Sequence, residues 1–255
     1  MPEIELNTSA GQRVEVPVPP GDPAAVARLL ATGEVEIKGR MPWSSNGTFL
    51  VCVSDGEARC FGVYKPERGE RPLWDFPSGL WRREVAAHRL SNALGWEVVP
   101  VTVPVGDDAP LGEGSIQQFV PFDPDAHYFT LYEDEAKHDA LRRLAVFDIL
   151  ANSTDRKGGH CLLGPDGRVW AIDNGLSFHQ EFKLRTVIWE FGGEVMRSDE
   201  VEPVEHLLDT GLPHDLAVLL DPFERDALLT RARAVVTERR FPIDGTGRRY
   251  PWPLV

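Results

Sequence analysis

Two turn signals divide the stretch from residue 34 to residue 66 into three segments of alternating polarity. Asn46-Gly47 lies between VEIKGRM and TFLVCVS, and Asp55-Gly56 lies between TFLVCVS and RCFGVYKP. β-Branched or aromatic residues alternate with polar ones in these segments, as in strands that bury one face. Because Asn-Gly and Asp-Gly are preferred in tight hairpin turns, the pattern predicts a three-stranded antiparallel sheet.

Helix and strand signals flank this sheet. Asp22 and Pro23 suit the cap and first turn of a helix that Gly33 would end. After the sheet, WRREVAAHRLSNALG repeats its apolar residues with a period of 3.6 and reaches Gly95, which indicates a second helix. Two further strands are expected in EVVPVTVPVG and SIQQFVP.

The second half of the chain is predicted to be mostly helical. The periodic segment KHDALRRLAVFDILAN precedes the polar loop STDRKGGH, and two short strands are expected around Asp166-Gly167. Helix signals follow in RTVIWEFGGEV, VEHLLDTG, HDLAVLL and DPFERDALLTRARAVVTERR, before an irregular end. We therefore expect an α+β fold with two lobes: a sheet and helix in residues 1–122, and helices with a β-hairpin in residues 123–255.

Composition excludes several functions. The formal net charge of −13 disfavours binding to nucleic acid or to anionic membrane, because both need a basic surface. No run approaches 18 apolar residues, so we expect no stable membrane insertion. The start of the chain lacks a basic region followed by an apolar one, and the three cysteines fit neither a disulfide framework nor a zinc pattern. We expect a cytoplasmic protein with reduced thiols.

Lys65 and Glu84 are candidates for a paired lysine and carboxylate. Lys65 ends the third strand of the predicted sheet, where it could reach phosphates, and Glu84 follows on the next helix. Such a glutamate could hold the lysine extended. The alternatives are a solvated lysine at a sheet edge and a glutamate that favours the start of its helix.

The turn between the first two strands consists of small polar residues. Ser44, Ser45, Asn46 and Gly47 could lay backbone N–H groups and hydroxyls over a phosphate. The same residues also suit an ordinary hairpin turn. We therefore predict phosphate binding here only in combination with the other candidates.

Two aspartates flank the hairpin predicted in the second half. Asp155 follows an apolar helix in NSTDRKGGH, and Asp173 follows the second short strand in WAIDNG. This spacing can bring both carboxylates to one end of the hairpin. Phosphoryl transfer requires a residue that positions or deprotonates the acceptor and a carboxylate that holds a metal ion, and these aspartates suit the two roles. Each could instead be a simple turn residue.

The loop from Thr154 to His160 resembles the D-R-H-x-x-N catalytic loop of phosphatidylinositol 3- and 4-kinases, and NSTDRKGGH is similar to the N-x-D-R-H loop of HipA-type protein kinases. The secreted Golgi-type atypical kinases are more distantly similar. An actinobacterial group related to phosphatidylinositol kinases looks similar over nearly the whole chain. The order of the motifs, over about residues 34 to 180, carries the resemblance.

The resemblance implies a protein-kinase-like fold that binds ATP with Mg²⁺ or Mn²⁺. Lys65 would contact the phosphates with Glu84 as its partner, Asp155 would orient or deprotonate the acceptor, and Asp173 would bind the metal. Arg156 would brace the loop. Backbone groups in the linker would meet the adenine; these are Gln117, Gln118, Phe119 and Val120.

Two positions depart from the family pattern. His160 replaces the asparagine that ligates metal five residues after the catalytic aspartate, and Lys157 replaces the loop histidine. Imidazole suits softer ions than Mg²⁺, so we expect Mn²⁺ preference, single-metal chemistry or weakened catalysis, with His160 as a second metal ligand.

The expected activity is ATP-dependent phosphoryl transfer to a protein or small-molecule hydroxyl, and the sequence does not identify the acceptor. Lys183 and Arg185 lie where related families recognise it, although two basic residues are also common as surface charge. Three alternatives remain open: a nucleotide-binding pseudokinase with a regulatory role, an AMP transferase on the same fold, and an interaction domain without nucleotide.

Overall fold

The computed structural model describes residues 3–7, 13–17, 19–41, 44 and 46–255. The chain divides into two compact units. The first comprises Met1–Val85 and Pro100–Pro124, and the second comprises Ala86–Val99 and Asp125–Val255. Residues 86–99 thus group with the second unit, whereas the sequence-based division placed them in the first. That the units act as a nucleotide-binding lobe and a catalytic lobe stays a prediction.

The first unit holds seven strands and one complete α-helix in its described residues. These are β1 (Glu3–Asn7), β2 (Arg13–Pro17), α1 (Pro23–Thr32), β3 (Glu34–Arg40), β4 (Phe49–Ser54), β5 (Arg59–Pro66), β6 (Thr102–Val105) and β7 (Gly114–Gln118). Helix α2 (Leu80–Ala93) contains the point of division, and a short 3₁₀ helix covers Glu67–Gly69.

An antiparallel sheet in the order β3-β4-β5-β7-β6 is the centre of the first unit. Strands β3, β4 and β5 confirm the predicted three-stranded sheet. Strands β6 and β7 also confirm prediction, and β7 lies between β5 and β6. Strands β1 and β2 pair separately with each other.

Helix α1 covers one face of this sheet. Its apolar residues Leu29 and Leu30 pack with Cys60 and Tyr64 of β5 in one buried cluster. The predicted cap is confirmed, because the Asp22 side chain accepts a hydrogen bond from the backbone of Ala24 and α1 ends before Gly33. Since side chains alternate along a strand, Lys65 lies on the face opposite α1.

The second unit is mostly helical. Its elements are α3 (Tyr128–Tyr132), α4 (His138–Ala151), β8 (Cys161–Leu163), β9 (Val169–Ala171), α5 (Ser198–Thr210), α6 (His214–Ala217) and α7 (Pro222–Glu238), with 3₁₀ helices at Glu135–Lys137 and Gly158–His160. Helix α4 is buried along most of its length and packs with residues from α5, α7 and both strands in a large apolar core. The predicted helix, loop and hairpin in residues 138–171 are confirmed.

The predicted helix in RTVIWEFGGEV is wrong, because residues 185–195 are irregular. The backbone of this segment forms hydrogen bonds with the loop after α4 instead. The Arg185 carbonyl accepts a hydrogen bond from the Arg156 amide, and the Val187 amide donates to the Arg156 carbonyl. Gly193 has a φ of 82°, in the left-handed region that interrupts a helix. Tertiary hydrogen bonds to the loop after α4 therefore replace the local helical ones.

Candidate active site

Lys65 and Glu84 form an ion pair within the first unit. Lys65 comes from β5, and Glu84 comes from the part of α2 that belongs to this unit. The Glu84 side chain is 3 % exposed and the Lys65 side chain 21 % exposed. The pairing predicted from the sequence is therefore present, and the carboxylate holds the ammonium group at the face of the sheet that α1 leaves uncovered.

Two glutamates that the sequence analysis did not single out fix the start of α2. The Glu70 carboxylate accepts hydrogen bonds from the backbone N–H groups of Gly79 and Trp81, both at 2.9 Å. Glu67 accepts from the indole N–H of Trp81, also at 2.9 Å. Carboxylates that accept bonds from the first amides of a helix stabilise its N-terminus. These contacts position the helix that carries Glu84.

The predicted phosphate-binding turn packs on the 3₁₀ helix that follows Lys65. The Gly47 amide donates to the Gly69 carbonyl at 2.7 Å, and the Asn46 side chain accepts from the Arg71 amide at 3.0 Å. The Ser44 hydroxyl lies 2.7 Å from that of Thr48, and Ser45 lies outside the described residues. In this structure the Gly47 amide therefore bonds internally, and phosphate binding by the turn stays a prediction.

The predicted adenine linker is bonded into the sheet at its start. The amides of Gln118 and Phe119 donate to the carbonyls of Val101 and Phe61, respectively. The Gln117 side chain is buried and donates to the Thr102 hydroxyl at 2.9 Å. Adenine binding by residues 117–120 stays a prediction.

Arg156 is the structural centre of the site in the second unit. Its guanidinium is 1 % exposed, pairs with Asp148 of α4 at 3.0 Å, and donates to the Ile172 carbonyl and the Asn174 side chain at 2.6 Å each. It thus joins α4, the loop that carries Asp155 and the turn that carries Asp173. The predicted bracing role of Arg156 is confirmed.

Asp148 is the partner that sequence analysis missed. It is fully buried, and besides Arg156 it accepts hydrogen bonds from the hydroxyls of Ser153 at 2.7 Å and Thr186 at 2.9 Å. The available signal was a carboxylate inside the apolar run AVFDILA, since buried charges almost always have partners.

Asp155 is only partly covered. Its carboxylate pairs with Lys157 at 3.0 Å, and the Asp155 side chain is 31 % exposed. The loop around it is fixed by its backbone, because the Thr154 amide donates to the Leu176 carbonyl and the Arg185 amide donates to Ser153. A carboxylate on a rigid loop with open access suits a group that positions or accepts a proton.

His160 lies beside Asp173 and the backbone of Lys157. Burial lowers its pKa, while the negative charges of Asp173 and Asp155 act in the opposite direction. Nε2 is 3.5 Å from the Asp173 carboxylate, and Nδ1 accepts from the Lys157 amide at 3.4 Å. His160 is therefore a neighbour of Asp173, and the meeting of Asp155 and Asp173 at one end of the hairpin stays a prediction.

Asp173 is the residue of this site whose carboxylate suits a divalent cation. Its carboxylate is 54 % exposed, and Mg²⁺ commonly takes one or two carboxylates together with substrate phosphates. Among the described residues, no three His, Cys, Asp or Glu side chains form a metal site by themselves. Because Nδ1 accepts a hydrogen bond from the Lys157 amide, the neutral His160 ring carries its proton on Nε2. Metal ligation by His160 stays a prediction and requires the other tautomer.

The segment after Asp173 is attached to the end of α4 by Asn152. The Asn152 amide group donates to the carbonyls of His179 and Glu181, and its oxygen accepts from the Lys183 amide. Asn152 has a φ of 53°, a conformation that asparagine tolerates well. A role for Lys183 or Arg185 in acceptor binding stays a prediction.

Comparison with solved structures identifies the class of fold. The chain aligns with the crystal structure of the Golgi casein kinase with Mn and ADP bound at a TM-score of 0.58 and 15 % identity, covering 92 % of this chain and 81 % of that one. A second structure of the Golgi casein kinase gives a TM-score of 0.56 at 15 % identity, over 85 % and 76 % of the two chains. The protein has an α+β, kinase-like fold.

The sequence identifies the family. The chain is 37 % identical over 262 aligned positions to protein Rv2133c of Mycobacterium tuberculosis, covering 88 % of this chain and 94 % of that protein. It belongs to the family of Rv2133c. No protein-family model matches the sequence. No helix in the described part of the chain combines the length and apolar character needed to cross a bilayer.

Proposed function

We propose that this protein is an ATP-dependent phosphotransferase, an atypical kinase that moves the γ-phosphoryl group of ATP to a hydroxyl of a protein or small molecule. The observation that carries the proposal is the buried Arg156, which ties the loop of Asp155 to the turn of Asp173. The kinase-like fold supports it. So does the order of motifs, which resembles that of phosphatidylinositol 3-/4-kinases and HipA-type kinases.

In this proposal each charged group has one task. Lys65, held by Glu84, binds the nucleotide phosphates, with the turn at residues 44–47 and the linker at 117–120 completing the nucleotide site. Asp173 holds Mg²⁺ or Mn²⁺, which neutralises charge on the phosphates. The fold relative with bound Mn and ADP supports use of a nucleotide and a divalent metal.

The reaction is a direct displacement. The acceptor oxygen bonds to the γ-phosphorus as the bond from that phosphorus to the β–γ bridging oxygen breaks, and ADP leaves. The hydroxyl proton passes to the Asp155 carboxylate. Lys157 pairs with Asp155, and its positive charge offsets the negative charge that this carboxylate brings to the acceptor hydroxyl. Positioning and electrostatic stabilisation supply most of the rate in such reactions.

Three variants test the proposal. Asp173→Asn should abolish the metal-dependent increase in melting temperature on adding ATP. Asp155→Asn should keep that increase but lower transfer from γ-labelled ATP by about 100-fold or more, as expected for loss of a catalytic base. Asp166→Asn, on the exposed hairpin turn, is the matched control. Transfer is measured to the protein itself, to myelin basic protein and to dephosphorylated β-casein, and intact mass distinguishes phosphate from AMP.

A pseudokinase is the second candidate, and His160 at the expected asparagine position favours it. It predicts ATP binding without any transfer that depends on Asp155. The same measurements on wild type and the three variants separate the two candidates. A pseudokinase would be stabilised by the nucleotide but would give no labelled product, even as wild type.

A further inference from the structure

The chain's own segment 251–255 lies on the loop that carries Asp155. The Gly158 amide donates to the Leu254 carbonyl at 2.6 Å. A Cβ atom added at Gly158 would lie 3.2 Å from Val255, 3.3 Å from the Leu254 carbonyl and 3.3 Å from the Phe129 ring. The segment therefore approaches the loop main chain to main chain, at a position where a side chain would intrude.

The residues just before this segment contact the stretch after Asp173. The Arg249 carbonyl accepts from the Thr186 amide at 3.1 Å and from the indole of Trp189 at 3.3 Å. The Arg249 guanidinium lies 5.1 Å from the centre of the Phe182 ring. Residues 249–255 thus cover both elements that the proposed function assigns to the acceptor, the loop and the stretch that follows Asp173.

The side chains near the end of this segment are exposed to solvent. Leu254 is 36 % exposed, Val255 57 % and Trp252 86 %. An extended chain that offers a carbonyl to the Gly158 amide and small apolar side chains to the glycine surface could replace it. This contact suits a polypeptide better than a small metabolite, because a polypeptide offers a main-chain carbonyl to the Gly158 amide together with an adjoining apolar side chain.

We propose that the Gly158-Gly159 surface is a binding site for an extended polypeptide, occupied in cis by Leu254 and Val255. The inference rests on the proposed function in one respect: the polypeptide is the phosphate acceptor. The segment then acts as a competitor of the acceptor.

Binding can be tested without nucleotide. A variant lacking residues 252–255 and labelled with ¹⁵N-glycine is titrated with a synthetic RRYPWPLV peptide, matching residues 248–255. The peptide is added to about 5 mM, the range of effective concentration of a short tether. We expect saturable shifts of the Gly158 resonance, and at least tenfold weaker binding to the full chain. An unchanged Gly158 resonance in the truncated chain would overturn the proposal.

Two alanine variants of the truncated chain provide a matched pair. Gly158→Ala should weaken peptide binding at least tenfold. Gly159→Ala should not, because its Cβ would lie 3.8 Å from Val255, an ordinary contact. Equal binding by the two would contradict the main-chain approach. If truncation unfolds the protein, untruncated chains serve: the backbone amide of residue 158 donates to the Leu254 carbonyl, so its protection against hydrogen exchange should be several times lower in Gly158→Ala than in Gly159→Ala. Equal protection would contradict the proposal.

The acceptor role is tested by inhibition. RRYPWPLV should inhibit transfer by the truncated enzyme in competition with dephosphorylated β-casein and not with ATP, and truncation should lower the KM for casein while leaving that for ATP unchanged. Inhibition competitive with ATP would overturn the acceptor role. Peptide binding with no transfer by any variant would remove the proposed function and keep the binding site, whereas transfer with no peptide binding would do the reverse.

Discussion

Arg156 and Asp148 form a buried ion pair at 3.0 Å, with side chains that are 1 % and 0 % exposed. Asp148 also accepts hydrogen bonds from two hydroxyl groups. Arg156 also donates hydrogen bonds to a backbone carbonyl and to a side-chain amide oxygen. The pair thus links α4 to both segments that carry the candidate catalytic aspartates. A buried pair is costly to break because the remaining charge loses its compensation.

Replacing Asp148 by asparagine should therefore lower the free energy of unfolding by about 3–5 kcal/mol, the usual loss when one partner of a buried pair is removed. Asp139→Asn is the matched control, since Asp139 also lies on α4 and pairs with an arginine, Arg197, but its side chain is 68 % exposed. That change should cost less than about 1 kcal/mol. Urea unfolding measures both, and equal losses would contradict the central role of Arg156–Asp148.

Lys65→Met should remove nucleotide binding without unfolding the protein. The lysine side chain is 21 % exposed and pairs with Glu84, so its loss removes this positive charge from the proposed phosphate site. We expect at least a tenfold rise in the Kd for ATP, measured by isothermal titration calorimetry. Lys38→Met is the control, because Lys38 is also a strand lysine paired with a glutamate, Glu36. If both changes affect ATP equally, Lys65 is not the phosphate ligand.

His160→Asn tests the metal preference. An imidazole nitrogen favours Mn²⁺ over Mg²⁺, and an amide oxygen reverses this preference. Wild type should therefore bind ATP more tightly with Mn²⁺ than with Mg²⁺. In the variant, the ratio of the ATP dissociation constant with Mg²⁺ to that with Mn²⁺ should fall by about tenfold, or about 1.4 kcal/mol. Calorimetry with each metal measures the ratio. Equal affinities in wild type, unchanged in the variant, would show that His160 does not ligate the metal.

Local pattern was enough to predict much of the fold. Asp22, Pro23 and Gly33 define α1 because capping depends on residues within one turn. The strands of residues 34–66 follow from alternation and turn residues, and the hairpin at 161–171 does so for the same reason. The Lys65–Glu84 pair was predictable because strand and helix positions fix which side chains can face each other.

The order of the distant strands and several other long-range contacts were not predictable. No local pattern in the sequence indicates that β7 lies between β5 and β6. The pairing of strands distant in sequence depends on how the whole sheet packs. Residues 185–195 have helix-forming periodicity, but hydrogen bonds to the loop around Arg156 exclude the helix. The contact of Gly158 with Leu254 also joins residues distant in sequence, and no local signal marks it.

His88 provides a test of the second unit that is independent of the proposed activity. The imidazole is 5 % exposed, with Nδ1 3.3 Å from the Val99 carbonyl and Nε2 3.1 Å from the Asn92 amide nitrogen. These contacts suit the neutral ring, with Nδ1 donating and Nε2 accepting. Burial lowers the pKa of His88 to about 4, and the positive charge of Arg89 acts in the same direction.

The sign of the pH effect follows from this lowered pKa. Between pH 6.5 and pH 4 the unfolded chain binds a proton at His88 that the folded chain does not, so stability falls as the pH falls. The loss should reach about 2 kcal/mol at pH 5. His88→Gln should flatten this part of the profile, measured by urea unfolding from pH 7.5 to 4.5. The exposed His206→Gln should keep the wild-type slope. Parallel profiles for wild type and His88→Gln would mean that His88 is protonated in the folded protein, which would contradict the contacts to Val99 and Asn92.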